Sequence, residues 1–334
     1  MPLKDLELRT DSPINLYSAY LKQKYKRAAY RVAVDGGFSC PNRPGGRSSA
    51  GCAYCDPYGA AAVYNRREGY GDLYDRFSGE TKEIPALKTN DIKTQINKAL
   101  GFLKTRYKAE IFLLYFQSFS STNGESEDLR NIYASALDEA EFRELIVSTR
   151  PDCIDEEKAD MLASFKNKVE VWTELGLQTI RDETLKRINR GHSFEDFKKS
   201  FSLLRERGIK ICVHIIFGLP GEDWKEMEQT VLYLAEAGPD AIKFHNLHIP
   251  LDTALYWEFM KGEIAAPGAE QYMEYLIRAL ELIPPEIIVQ RMTCDTPKIR
   301  RAAPRHFWKK TYFYDRIINE MRQRNTFQGR RYTR

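Results

Sequence analysis

The chain has 334 residues, 43% hydrophobic, 12% aromatic and 29% charged, with a formal net charge of +4. A chain this long buries roughly three quarters of its unfolded surface, so it needs neither disulfides nor a structural metal merely to fold, and disorder is excluded as its dominant state. Its apolar runs are strand-sized, far short of the about 20 residues a membrane-crossing helix needs, and Met1 to Asp5 carries no apolar signal core, which predicts a soluble, cytoplasmic protein with no membrane partner.

The charge is unevenly spread. Residues 300–334 hold eleven Lys/Arg and two acids, a local charge of +9, which leaves −5 for residues 1–299. A second basic stretch, 17–31, has five Lys/Arg and no acid. An acidic body with cationic ends suggests a polyanionic partner.

In chain order, a basic segment (1–29) leads to a first strand over 30–35. Cys40, Cys52 and Cys55 follow directly, at the predicted C-terminal end of that strand. In a reducing compartment clustered cysteines read as metal ligands before disulfides. Thiolates suit zinc or an iron–sulfur cluster. A structural zinc site generally takes four protein ligands, whereas this group has one Cys-x-x-Cys pair and one further cysteine. Three thiolates favour a cubane cluster with one iron left open; zinc stays as the alternative. Residues 56–90, rich in Gly and Tyr without clear periodicity, form an insertion that we expect to act as a lid on substrate.

Helical patterns over 91–108, 125–140, 155–166, 181–207 (broken near Gly191), 222–237 and 269–282 alternate with strand candidates at 110–116, 144–149, 169–177, 209–217 and 240–247. Such alternation predicts parallel βαβ units. The expected fold class is α/β, a partial or complete TIM-type (β/α) barrel over 30–285, whose chemistry sits at the strand C-terminal ends. A strand-like 286–291 opens a C-terminal extension running to residue 334.

The three cysteines, with Tyr54 before the last, resemble the radical S-adenosylmethionine (SAM) superfamily. The long first gap is similar to the branch akin to the Elongator catalytic subunit, in particular the YhcC/YtqA-type proteins. Further matches are Ser148-Thr149-Arg150-Pro151-Asp152, Glu174-Leu175-Gly176-Leu177-Gln178, Asn189-Arg190-Gly191-His192-Ser193 and Phe217-Gly218-Leu219-Pro220-Gly221-Glu222. The resemblance implies a 4Fe-4S cluster on Cys40, Cys52 and Cys55, with SAM on the fourth iron and cleaved to a 5′-deoxyadenosyl radical. It puts Tyr54 and the Gly218–Pro220 turn near the adenine. Gln117 and Ser118 stand where many relatives carry a Gly-Gly-Glu-like segment that contacts the methionine amino group. Glu174, at a strand end, is expected to accept hydrogen bonds from SAM, and Arg190 and His192 to contact SAM or substrate.

The same resemblance implies action on tRNA, converting wobble carboxymethylaminomethyl-uridine to aminomethyl-uridine, with a flavodoxin- or ferredoxin-type reductant. The tail supports an RNA partner, because Arg300, Arg301, Arg305, Lys309, Lys310, Arg322 and Arg324 are interleaved with aromatics that can stack on bases. The bland alternative is a helix docked through Ile317, Ile318 and Met321. Rival functions are a radical SAM reaction on a small metabolite or protein, and a non-enzymatic metal-binding RNA protein. His245 and His248 are candidates for proton handling or substrate binding. Cys212 is expected in the core, while Cys153 and Cys294 are isolated.

Overall fold

The computed structural model describes residues 12–46, 49–56, 91–294, 296–298 and 300–333. The expected lid over 56–90 therefore lies outside the described residues apart from Asp56. The elements run α1 (Tyr17–Tyr25), β1 (Ala29–Val34), α2 (Ile92–Tyr107), β2 (Ile111–Phe116), α3 (Ser126–Asp138), β3 (Phe142–Thr149), α4 (Glu156–Ala163) and β4 (Glu170–Gln178). They continue with α5 (Asp182–Arg187), α6 (Phe194–Glu206), β5 (Lys210–Phe217), α7 (Trp224–Ala237), β6 (Ala241–Asn246) and β7 (Ile249–Pro250). The last are α8 (Ala254–Met260), α9 (Ala269–Leu282), β8 (Ile288–Arg291), β9 (Arg301–Ala303) and α10 (Lys310–Gln323). This is the α/β alternation that the apolar periodicity predicts.

Two compact units divide the chain: Arg27–Gly176 with Asn189–Ile211, and Met1–Lys26 with Leu177–Ile188 and Cys212–Arg334. The first contains the clustered cysteines and is the cysteine unit below; the second is the C-terminal unit.

In the cysteine unit β1, β2, β3 and β4 pair in parallel, with Ala33 opposite Tyr115, Tyr115 opposite Ile146 and Ser148 opposite Glu174. Near-continuous apolar runs such as Ile111 to Phe116 suit parallel strands covered on both faces. Asp91 caps α2, its carboxylate accepting from the Thr94 N–H at 2.8 Å. One turn on, the Gln95 amide accepts from the Asp35 N–H at 2.8 Å and donates to the Asp35 carbonyl at 2.9 Å, which anchors the chain leaving β1. The break expected near Gly191 separates α5 from α6. Ser193 and Asp196 start α6 with reciprocal caps.

In the C-terminal unit β5, β6 and β8 pair in parallel, and β7 pairs with β9 antiparallel. Phe217 meets Phe244 and Tyr272 of α9 at ring-centroid separations of 5.6 and 6.3 Å. Four findings depart from expectation. Helix α4 stops at Ala163, where Ser164–Asn167 tighten into a 3₁₀ turn. The last long strand begins at Ile288, two residues late, because the Pro284–Ile287 turn occupies its expected start. The elements α1, α8, β7 and β9 are too short or too polar to give a period. The tail contains a docked helix, but through Phe313, Ile317 and Met321, all 0% exposed. Positions four and eight apart stay on one helix face, and Ile318 turns 100° from Ile317 and is only half-buried.

Phe313 stacks on Tyr272 at 5.5 Å and meets Phe307 at 5.2 Å. Phe313→Ala is therefore expected to cost about 3–5 kcal/mol in urea unfolding; a loss under about 0.5 kcal/mol, the range of free surface positions, would mean that α10 is not part of the core. Among the described residues no helix is long and apolar enough to cross a membrane.

Candidate active site

Two tight turns shape the loop after β1. The Arg43 N–H donates to the Cys40 carbonyl and the Cys55 N–H to the Cys52 carbonyl, both at 2.9 Å, so the first turn opens on Cys40 and the second has a cysteine at each end. The Asn42 amide donates to the Asn189 carbonyl at 2.6 Å, and Asn189 returns a bond to the Gly51 carbonyl at 3.0 Å, joining this loop to the segment before α6.

Each thiol has its own guanidinium. Arg150 Nη1 lies 3.8 Å from Cys40 Sγ, Arg190 Nη1 3.5 Å from Cys52 Sγ, and Arg43 Nη2 3.2 Å from Cys55 Sγ. Asn42 Nδ2 adds a second donor to Cys52 at 3.5 Å. Arg43 and Arg150 are 3% exposed and Arg190 7%. Asp152 receives Arg150 through two bonds of 2.9 and 2.8 Å, Arg190 donates to the Gly176 carbonyl at 3.0 Å, and Arg43 to the Ser49 carbonyl. Burial alone would push the Cys52 thiol up, but Arg190, with Arg150 and Asn42, outweighs it and holds the thiol below its ordinary range. At Cys55 burial prevails over Arg43 and the thiol is raised. Buried cations around thiols are the surroundings that favour thiolate ligands.

Among the described residues no three His, Cys, Asp or Glu side chains converge as ligands of one metal ion would. Three thiols, each with a separate arginine beside it, fit an iron–sulfur cluster, in which thiolates bind different irons. Tyr54 sits between Cys52 and Cys55 with its phenol raised by burial.

Gly191 makes the approach possible. Its φ is +75°, and an added Cβ would stand 2.5 Å from Asn42 Oδ1 and 3.1 Å from Arg150 Nη2. Gly191→Ala is expected to displace both donors and lower iron retention roughly 10- to 100-fold, as losses around metal ligands do. Iron content after graded chelation measures this, and retention equal to the parent protein would remove Asn42 and Arg150 from the site's support.

Glu174 is 4% exposed and already engaged. It receives the Tyr115 hydroxyl at 2.6 Å, the Ser148 hydroxyl at 2.8 Å and Arg31 Nη1 at 2.9 Å. Arg31 also lies over the Tyr115 ring at 4.6 Å. His192 is buried between the Gly176 and Ser193 carbonyls, 3.1 Å from each, and burial followed by Arg190 pushes its pKa down to about 4. Arg190 and His192 are thus both directed at the Gly176 carbonyl, and Arg190 at Cys52. Gln117 is half-buried and Ser118 buried, at the start of a loop that folds onto its neighbours. In that loop Thr122 donates to the Cys153 carbonyl at 2.8 Å and Asn123 to Ser39 Oγ at 2.8 Å, next to Cys40. Cys153 itself is buried, its thiol pushed up to about 11.

The C-terminal unit holds the remaining candidates. Gly218 has φ +86°, and a Cβ there would meet Pro267 at 2.5 Å; Pro220 is buried in the following turn. Cys212 is fully buried, as expected. His248 is 6% exposed, and its pKa falls to about 3 through burial and Arg301. Of the tail cations expected to face RNA, Arg300 is instead buried. It is 3% exposed and donates to Asp252 at 2.9 Å and the Leu251 carbonyl at 2.8 Å, which removes it from the surface. Arg324 pairs with Glu274 and Glu320 at 2.7 and 3.0 Å. Arg305, Lys309, Lys310 and Arg322 are exposed and Arg301 is half-buried. Trp308 and Tyr312 stand edge-to-face at 5.5 Å beside Lys309 and Lys310.

Arg31, Asn42 and Arg43 belong to the site without a distinctive sequence signal. A charged residue inside the apolar Tyr30 to Val34 run was the available signal for Arg31; Asn42 and Arg43 offered only their place among the cysteines.

The radical SAM superfamily matches residues 42–234, over half the chain, and the radical SAM C-terminal domain matches 239–323. The chain belongs to the radical SAM superfamily. Members use a 4Fe-4S cluster with SAM, and this radical SAM protein is an enzyme. It is 31% identical to YtqA of Bacillus subtilis, over 97% of this chain and 94% of that protein. It is likewise 31% identical to YhcC of Escherichia coli, over 95% and 96%. The tRNA uridine(34) acetyltransferase of Methanocaldococcus jannaschii is 27% identical over 87% of this chain and 56% of its own length. Among solved structures, the archaeal Elp3 of Methanocaldococcus infernus shares the fold at TM-score 0.64 and 21% identity, over 71% of this chain and 60% of that one. The TIM-type (β/α) architecture expected from the strand–helix alternation is therefore that of the radical SAM fold.

Proposed function

We propose that this radical SAM enzyme acts on tRNA, removing the carboxymethyl group from wobble carboxymethylaminomethyl-uridine to leave aminomethyl-uridine, the two-carbon unit departing as glyoxylate with SAM as the two-electron oxidant and water as the source of the carbonyl oxygen. Cys40, Cys52 and Cys55 hold three irons of the 4Fe-4S cluster. The observation that carries the site is the one-to-one pairing of these thiols with buried guanidinium groups. When bound and reduced, the cluster and SAM supply a 5′-deoxyadenosyl radical.

The chain's own residues orient that chemistry. Arg43, Arg150 and Arg190 offset the charge of three thiolates and fix their rotamers. Tyr54 supplies an apolar wall for the adenine. Gln117 and Ser118 offer polar groups to the methionine end, beside the loop that Asn123 ties to Ser39. Glu174, held by Tyr115 and Ser148, orients Arg31. Arg305, Lys309 and Lys310, flanked by Trp308 and Tyr312, form the tRNA-facing cationic surface. The printed name of the tRNA uridine(34) acetyltransferase supports tRNA as the substrate class. A flavodoxin- or ferredoxin-type protein delivers the electron.

The test incubates anaerobically reconstituted protein with SAM, reductant and tRNA carrying carboxymethylaminomethyl-uridine, then digests to nucleosides. Aminomethyl-uridine formed in step with 5′-deoxyadenosine is the expected result. Deoxyadenosine formation with an unchanged wobble nucleoside would eliminate this substrate.

A further inference from the structure

Strands β5, β6 and β8 of the C-terminal unit carry two unlike faces. On one, Val213, Ile215, Phe217, Ile242, Phe244 and Val289 are at most 1% exposed. On the other, polar groups interrupt the burial. Within β5 only Lys210 and His214 are half-buried rather than buried, within β6 only His245, and β8 ends on the half-buried pair Gln290 and Arg291. The His214 and His245 rings meet edge-to-face with centroids 3.9 Å apart.

A bulge brings two successive residues of β8 to this face. Ile242 pairs with Val289 and Lys243 with Arg291, leaving Gln290 as the extra residue. Gln290 Oε1 accepts from the Cys212 thiol at 3.3 Å, and Arg291 Nη1 stands 3.4 Å from His245 Nε2. By strand alternation Cys212 shares the face of His214. Bulges commonly re-aim side chains in this way beside functional sites.

The face is rich in donors. Arg291 has no carboxylate partner among the described residues, its polar contact being His245. Gln290 Nε2 is buried with no acceptor. Burial, and then the His214, Arg291 and Lys243 charges, hold His245 well below its usual pKa, and the buried Lys243, opposite Arg291 in the strand register, adds a second cation to this face. A half-buried cation beside an unanswered amide donor is a costly arrangement that an acceptor-only anion relieves. The planar guanidinium fork matches a carboxylate, which takes two parallel bonds from it.

We propose that Arg291, Gln290 and His245 form a subsite for a carboxylate of the substrate. This deepens the wobble-uridine reading and rests on it, since the carboxymethyl group supplies that carboxylate. Arg291 takes the carboxylate through its fork, Gln290 Nε2 adds one bond, and His245 positions the guanidinium. The aminomethyl product lacks the anion and loses these contacts, which favours its release.

The test uses full-length reconstituted protein with SAM and measures equilibrium binding of two free nucleosides, 5-carboxymethylaminomethyl-uridine and 5-aminomethyl-uridine. The carboxylate nucleoside is expected to bind roughly 10- to 100-fold tighter, the range of charge-assisted hydrogen bonds. Arg291→Gln should erase that preference, and Arg291→Lys should keep part of it. Should the Gln variant fail to fold, the parent protein decides by nitrogen NMR of the His245 ring. Sarcosine, a minimal carboxymethylamine, should shift that signal, and inorganic phosphate should not. Equal binding of both nucleosides, a preference surviving Arg291→Gln, or a shift by phosphate alone overturns the subsite. A sarcosine shift lost in Arg291→Gln, with no wobble change in tRNA, keeps the subsite and sinks the tRNA reading. Wobble conversion undiminished in Arg291→Gln does the reverse.

Discussion

Cys52→Ala, purified without oxygen, is expected to lose the iron–sulfur absorption and to fall by on the order of a thousandfold or more in 5′-deoxyadenosine formation. Cys52 is the most informative of the three thiols. It is 7% exposed, receives donors from both Arg190 and Asn42, and is the thiol those donors hold below its ordinary range. Removing it leaves the Arg190 charge buried with the Gly176 carbonyl as its remaining hydrogen-bond acceptor. Such an uncompensated charge also destabilises the loop. Cys52→Ser separates the two effects, since it retains a small polar acceptor for Arg190 while being a poor iron ligand. Iron and sulfide analysis with deoxyadenosine quantification checks the expectation. Full cluster content and turnover in both variants would refute Cys52 as a ligand.

Joint charge reversal of Arg305, Lys309 and Lys310 to Glu is expected to weaken tRNA binding by on the order of 100-fold and to lower the log–log salt slope by about three. SAM cleavage without tRNA should stay near the parent rate, since these residues are exposed and belong to the C-terminal unit, outside the cysteine loop. The same reversal at Arg324 should do less. That guanidinium is shared between Glu274 and Glu320, and part of its field is already cancelled. Filter binding across a salt series distinguishes the positions. An unchanged slope in the triple variant would favour a small metabolite or a protein as the substrate.

Strand positions were legible because parallel strands leave long apolar runs between amphipathic helices. The runs at 110–116 and 209–217 match β2 and β5 closely for this reason. The helix break near Gly191 was legible from the glycine, but its cause was not. Only the fold brings Asn42 so near that a Cβ cannot fit. Glu174, expected at a strand end, lies instead in the middle of β4, which continues through the apolar Leu175-Gly176-Leu177 to Gln178, and its partners lie on three other strands: Arg31, Tyr115 and Ser148. The tail cations read as one patch in sequence. Asp252, 48 positions before Arg300, and Glu274, 50 before Arg324, divide them into engaged and exposed groups.

The linear chain alone determined the spacing of three cysteines behind a strand, the βα alternation and the basic ends, because each is a local pattern of residue type. Tertiary structure decided which cation meets which thiol: Arg150 and Arg190 reach their sulfurs across separations of 110 and 138 residues. It also decided that a bulge turns Gln290 and Arg291 to the same face. Contacts of that kind depend on strand register and chain closure, which residue type does not encode position by position.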